Sequence, residues 1–309
     1  MNEQLNLTPE LFEKVSNSHA EAEAIKRPSL TYWKDVWRRL KENKLAMFGL
    51  GIIVVLVLMA LFAPIFSQYS YETQSLKERN LIPSSEHWFG TDSLGRDLWT
   101  RAWYGARISL FVGFCATAIQ FIIGAIYGGI SGSIGGRTDN IMMRVAEIFY
   151  SIPYMLIVIL MMVLMSPGLV PMIIALVVTG WIGMARLVRG QVLQLKEQDY
   201  VQASQALGSS MLWRLRKHLI PNTMGPILVD LTLSVPSAIF AEATLSFLGL
   251  GISAPMASWG SMANDALTGL FTGASYQLFF PAFLISLTMF GFNVFGDGLR
   301  DALDPQLRK

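Results

Sequence analysis

The chain has 309 residues, of which 52% are hydrophobic and only 15% charged, and its mean hydropathy is +0.44. Ordinary soluble domains carry about 25% charged residues, so the composition excludes a typical soluble globular protein. The formal charge of +2 says little by itself; most of the positive charge marks membrane topology, and no nucleic-acid partner is expected.

Residues 1–28 are polar and acidic and predict a cytoplasmic tail without a cleavable signal peptide. Within it, Thr8-Pro9-Glu10 has the form of a helix start, and Leu11, Phe12 and Val15 suggest a short amphipathic turn. In residues 29–44, Leu30, Trp33, Trp37 and Leu40 recur at helical spacing while Lys34, Arg38, Arg39 and Lys41 fill the other face. That pattern predicts an interfacial helix lying on the inner membrane surface, in contact with lipid.

A spanning helix needs about 20 mostly apolar residues to cross roughly 30 Å of hydrocarbon. Residues 45–66 carry no charge and predict the first transmembrane helix. Residues 67–107 then form an outside loop rich in aromatics, in which Asp92, Arg96, Asp97, Arg101 and Arg107 alternate in sign and predict a local ion-pair network. Ile108–Gly136, which contains the single cysteine Cys115, predicts the second span. Ile148–Ala185 is uncharged but too long for one span, and Ser166-Pro167-Gly168 breaks it into two helices joined by a tight turn. Glu147 follows Arg144 at the spacing of a helix-end salt bridge.

Residues 191–222 read as helix, turn, helix. Ala203 and Ala206 favour the first helix, Gly208-Ser209-Ser210 stops it, and Ser210 caps a second that Pro221 ends. Thr223–Leu250, apolar apart from Asp230 and Glu242, predicts the fifth span, and the uncharged run Ala266–Gly296, helical from about Ser275, the sixth. With the N-terminus inside, the outside segments hold only Lys77, Arg79, Arg96, Arg101 and Arg107 of the 24 Lys and Arg residues. This asymmetry puts both termini in the cytoplasm.

The parts of several enzyme classes are missing from the sequence. There is no GxxxxGK[ST] phosphate loop, no HExxH pair and no GxSxG elbow, and His19, His87 and His218 are scattered without cysteines at metal spacing. The chain is therefore expected to be no enzyme and to hold no metal or cofactor of its own. Transport is the function class that remains.

The string DYVQASQALGSSMLWRLRKHLIPN, from Asp199 to Asn222, resembles the cytoplasmic "EAA" loop of binding-protein-dependent ABC importer permeases. Gln202, Ala203 and Ser204 occupy the EAA places, Gly208 the glycine, and His218, Ile220 and Pro221 fall on the I-x-L-P places. Three further strings are similar to the dipeptide and oligopeptide permease family, C-type subunit: HWFGTDSLGRDLWTRAWYGARISL from His87, ATLSFLGLGISAPMASWG from Ala243 and GFNVFGDGLRDALDPQLR from Gly291. The resemblance runs from about Ser29 to Lys309.

The resemblance implies an all-α polytopic fold of six transmembrane helices, a type I ABC importer permease with an N-terminal interfacial helix. Residues 108–309 would form the permease domain, with 191–222 as coupling loop. It further implies a bacterial plasma-membrane location, a second homologous permease, two cytoplasmic ATPases that bind the ATP, and an external peptide-binding protein. Asp199, Gln202, Ala203, Ser204 and Gly208 would then contact an ATPase, with Gln202 replacing the usual acid. Oligopeptides are the implied cargo; dipeptides, nickel or another small solute are the alternative, and an ion-gradient-driven transporter is a different class.

Asp230 and Glu242 are the acids of the fifth span. Their spacing rises about 18 Å and rotates about 120° beyond whole turns, so they do not share a face. Intramembrane acids are costly and functional by default. The resemblance sets the fifth span beside the pore and makes Glu242, near the outer mouth, the candidate for the translocation path. The competing reading is an acid capped by a neighbouring helix, by Asn264 or by Ser246.

Overall fold

The computed structural model describes residues 31–271 and 273–304. The expected features at Thr8–Val15 and at Leu30 lie outside the described residues. Among the described residues there is no β-strand, only an isolated bridge between Thr91 and Asp97.

Helix α1 (Tyr32–Glu42) packs Val36 and Leu40 against Leu299, Ala302 and Leu303 near the other end of the chain. Trp33 and Trp37 stay exposed on the flank of the same apolar stripe. The stripe is thus divided: the aliphatic residues meet protein, and the tryptophans face outward. Asn43 separates α1 from α2 (Lys44–Phe66), and its side chain accepts a hydrogen bond from Ala46 N at 3.1 Å.

Helix α3 (Leu98–Ile134) starts well before the expected Ile108. Asp97 caps it, accepting from Thr100 N at 2.8 Å. The uncharged run underestimated the helix because Arg101 and Arg107 lie inside it, each hydrogen-bonded to fixed partners. Arg101 reaches Asp265 and the Tyr71 carbonyl, and Arg107 reaches the carbonyls of Ala60 and Leu61.

Two helices, α4 (Gly136–Ser151) and α5 (Tyr154–Met165), meet at a 76° bend. The sequence reading carried one helix through this point. Pro153 breaks it by lacking an N–H and by forcing Ile152 into extended backbone, with φ −74° and ψ 124°. The expected break at Ser166-Pro167-Gly168 separates α5 from α6 (Leu169–Lys196). Helix α6 lies along α3, where Gly124, Gly128 and Gly132 recur at one-turn spacing. A Cβ at Gly128 would collide with the Ala185 carbonyl, so the two backbones touch there. At that end Arg189 of α6 donates to Asp139 of α4 at 2.5 and 2.6 Å, and Ser131 of α3 joins them.

After α7 (Asp199–Ala206) come a turn, α8 (Met211–Arg214), a π-helical stretch (Leu215–Leu219) and α9 (Ile220–Phe247). Pro221 does not end a helix as expected. The widened turn at 215–219 delivers it to the first turn of α9, where no N–H is required. Short helices α10 (Trp259–Asp265) and α11 (Leu267–Leu270) precede α12 (Tyr276–Leu303). Helices α2, α3, α6, α12 and the continuous segment Met211–Phe247 are each long and apolar enough to cross a membrane, and the bent α4–α5 pair, taken as one span, makes six.

Candidate coupling turn and translocation path

The five residues expected to meet an ATPase all lie on α7 and the turn after it. Val201 anchors the helix: it is buried against Leu195, Leu215, Leu219 and Ile220. The opposite side is open. Asp199, Gln202 and Ala203 are exposed, and Gln202 Nε2 donates to the Glu197 carbonyl at 3.3 Å. Half-buried Ser204 braces the turn, since Ser209 Oγ donates to its carbonyl at 2.7 Å and lies 2.8 Å from its hydroxyl.

Gly208 has φ +82°, in the left-handed region that side chains other than glycine adopt at a cost. Beyond it, the Ser210 hydroxyl accepts from Trp213 N and caps α8. Around the turn Leu207 is 89% exposed and Leu212 70%. Trp213 is half-exposed and packs edge-on to His218. Sequence reasoning weighed the small residues of this loop and passed over these apolar ones. Their position beside a glycine turn in a loop between spans was the available signal.

At the other end, residues 67–97 form a cap bonded to α10–α12. Asp92 accepts from Leu94 N, Arg96 N and Arg96 Nε at 2.9, 2.9 and 2.6 Å. Arg96 and Arg101 converge on Asp265 at 2.8 and 3.3 Å. Asp97 instead pairs with buried His87 at 2.9 Å and caps α3. The expected network therefore exists around Asp92, Arg96 and Arg101, but its hub includes Asp265, which is distant in sequence, and Arg107 takes no part. Gln277 ties the cap to α12 by donating to Asn80 and to the Thr91 carbonyl. Tyr71 stacks on Tyr104, and hydrogen bonding to Glu72 pushes its hydroxyl well above the ordinary tyrosine value.

Glu242 is fully buried inside the chain. Its carboxylate accepts from Ser109 Oγ of α3 at 2.8 Å and from Ser246 Oγ at 2.7 Å. Ser109 Oγ in turn accepts from Trp259 N at 3.3 Å. Glu242 thus clamps α9 to α3 and α10, and it faces no open passage in this conformation. Of the two alternative caps, Ser246 bonds it, whereas Asn264 donates to the Phe247 carbonyl at 2.6 Å and closes the end of α9. Asp230 lies on the other side of α9, half-buried, with Ser234 Oγ at 3.5 Å.

Residues 120–309 match the family described as "Binding-protein-dependent transport system inner membrane component". Residues 31–83 match the "N-terminal TM domain of oligopeptide transport permease C". The chain is a member of the binding-protein-dependent transport system inner membrane component family. It is 60% identical over 308 residues to the dipeptide transport system permease protein DppC of Bacillus subtilis, covering 99% of this chain and 96% of that one. It is 57% identical to the oligopeptide transport system permease protein OppC of the same organism, covering 98% and 99%. The OppC of Haemophilus influenzae is 42% identical, covering 89% of each. Among solved structures, an inward-facing MetNI methionine ABC transporter chain superposes with a TM-score of 0.54 at 20% identity. It covers 65% of this chain and 94% of that chain, which establishes the shared permease fold. Residues 31–83, which hold α1 and α2, are the part assigned to the separate N-terminal transmembrane domain.

Proposed function

We propose that this permease forms one half of the transmembrane pore of an ATP-driven peptide importer. Its partners are a second permease, two cytoplasmic ATPases and an external peptide-binding protein. The carrying observation is the near-complete match to the two Bacillus subtilis peptide permeases, at 60% and 57% identity. The α7 turn supports the mechanism: a short helix held from behind by Val201, a glycine turn at φ +82° and an uncovered Leu207 fit a ball seated in a socket on another protein. ATP-driven closure of the ATPases would move this turn, and α6, which ends just before α7, and α9, which follows it through α8 and the π-helical stretch, would carry the motion into the membrane. The chain performs no covalent chemistry in this scheme. Because both relatives match almost equally, the cargo class is peptide without a fixed length.

The test is purification of the tagged permease from its native membrane, followed by reconstitution. Co-purifying ATPases and ATP-dependent uptake of a labelled peptide support the reading. Uptake driven by an ion gradient without ATPases overturns it.

A further inference from the structure

The resemblance makes Glu242 the path candidate of α9, and the spacing puts Asp230 on a different face. Glu242 is sealed against α3 and α10, and Asp230 belongs to the face that the rest of the chain leaves uncovered. That face is a continuous stripe: Asp230, Ser234, Ser237, Phe240 and Thr244 fall within about 120° of the helix circumference. Ser237, Phe240 and Thr244 are exposed and Asp230 and Ser234 half-buried, whereas Val235, Ile239, Glu242 and Ser246 on the opposite face are buried.

Lipid does not suit this stripe. The exposed residues of α2, a helix long and apolar enough to cross a membrane, are by contrast apolar, as Phe48, Val55, Leu58 and Phe62 show. An intramembrane carboxylate faces a partner, a bundle interior or water. Asp230 has no salt-bridge partner among the described residues, and α9 holds no Lys or Arg. Ser237 Oγ donates to the Leu233 carbonyl at 3.1 Å and Thr244 Oγ1 to the Phe240 carbonyl at 2.8 Å. Each hydroxyl's single hydrogen is thus returned to its own helix, and its lone pairs point outward as acceptors. The face offers one negative charge and a row of acceptors, which is complementary to a donor cation.

We propose that this stripe of α9 lines the translocation path, with Asp230 as the anionic station that receives the ammonium group of a passing peptide. The assignment of the ammonium rests on the peptide-import reading; the assignment of the stripe to the water-filled path does not. Every unblocked peptide carries an ammonium at one end. A single acid flanked by hydroxyls holds such a group without the desolvated, fully enclosed site that would trap it.

The experiment uses the complete transporter in proteoliposomes, with Cys115→Ala as background and Ser237→Cys added. The thiol is treated with two water-soluble methanethiosulfonates of similar size, the cationic ethyltrimethylammonium and the anionic ethylsulfonate reagents, with and without ATP. The Ser237→Cys thiol reacts, and, with each rate divided by that reagent's rate toward free 2-mercaptoethanol, the cationic reagent is favoured about tenfold, as expected for a carboxylate about 10 Å away across a partly aqueous medium. Asp230→Asn removes that preference and Asp230→Glu retains it. Asp230→Asn also lowers uptake of labelled trialanine about fivefold, the difference between a charge-assisted and a neutral hydrogen bond, while permease abundance and bound ATPase stay unchanged.

A Ser237→Cys thiol inert to both reagents in both nucleotide states, beside a reactive Ser85→Cys control, overturns the proposal. Equal normalised rates that Asp230→Asn does not alter overturn the role of the charge. Charge preference with no peptide uptake by the unsubstituted transporter leaves the stripe in the path and removes the peptide from it.

Discussion

Arg107 Nε donates to the carbonyl oxygen of Ala60 at 2.6 Å, across the contact between α3 and α2. The carbonyl is free because Pro64, four residues on, has no N–H to offer it. Arg107 also donates to the next carbonyl, Leu61, at 2.7 Å. A cation from one span thus completes the backbone of another at the outer membrane boundary, where an unmet carbonyl is expensive.

This arrangement predicts a coupled pair. Arg107→Ala is expected to destabilise the purified permease by about 1–3 kcal/mol, the cost of an unsatisfied buried group. Pro64→Ala restores the N–H, so the same arginine substitution in that background costs measurably less. A double-mutant cycle on thermal unfolding in detergent reads the difference; strict additivity would show that the two residues do not communicate.

For the coupling turn, Ala203→Arg is expected to leave the chain inserted and abundant, because Ala203 is exposed within it. It would still abolish peptide uptake and reduce co-purifying ATPase, since overpacking a tight contact costs about 1–3 kcal/mol. Gly208→Asp is expected to give the same result, and Gly208→Val a harsher one, because β-branched residues resist the left-handed region. Gln202→Glu is expected to be neutral or mildly favourable. Normal uptake by both Ala203→Arg and Gly208→Asp would show that the turn does not couple.

Glu242 is expected to tolerate Gln better than Lys. A glutamine keeps an acceptor for Ser109 or Ser246, whereas a lysine buries an unpaired cation at a cost of about 3–5 kcal/mol. Permease abundance in membranes separates the two, with Glu242→Lys falling furthest. Equal abundance of the Gln and Lys variants would argue against the clamp.

Cysteines placed at Ser85 and Ser253, both exposed, are expected to label from outside the cell, and one at exposed Ser210 only from the cytoplasm. Ser258 would be a poor probe despite its position in the same outer segment, because it is fully buried. Labelling of Ser210→Cys from outside would invert the arrangement.

The spans were legible in the sequence because lipid imposes a length and a polarity that single residues record. The turn at Ser166-Pro167-Gly168 and the helix–turn–helix of residues 191–222 were legible for similar local reasons. What escaped was whatever depended on a distant partner. Asp265 joins Arg96 and Arg101 only after the chain has crossed the membrane several times. Likewise, rotation along α9 separates Asp230 from Glu242, but α3 and α10 decide which of the two is enclosed. Pro221 was expected to end a helix and Pro153 was passed over, yet it is Pro153 that breaks one, because the π-helical stretch prepares a helix start for Pro221 and nothing comparable precedes Pro153.

The glycine contact between α3 and α6 carries a mechanical consequence. Where Gly128 meets the Ala185 carbonyl, no flexible side chain lies between the helices to absorb displacement. The pair therefore behaves as one stiff rod. Helix α6 is about 42 Å long at the standard rise, and α7 is attached at its end by two residues, Glu197 and Gln198. A tilt imposed at α7 would be carried along that rod as along a lever, and the 76° bend at Pro153 marks where the neighbouring α4–α5 pair would flex.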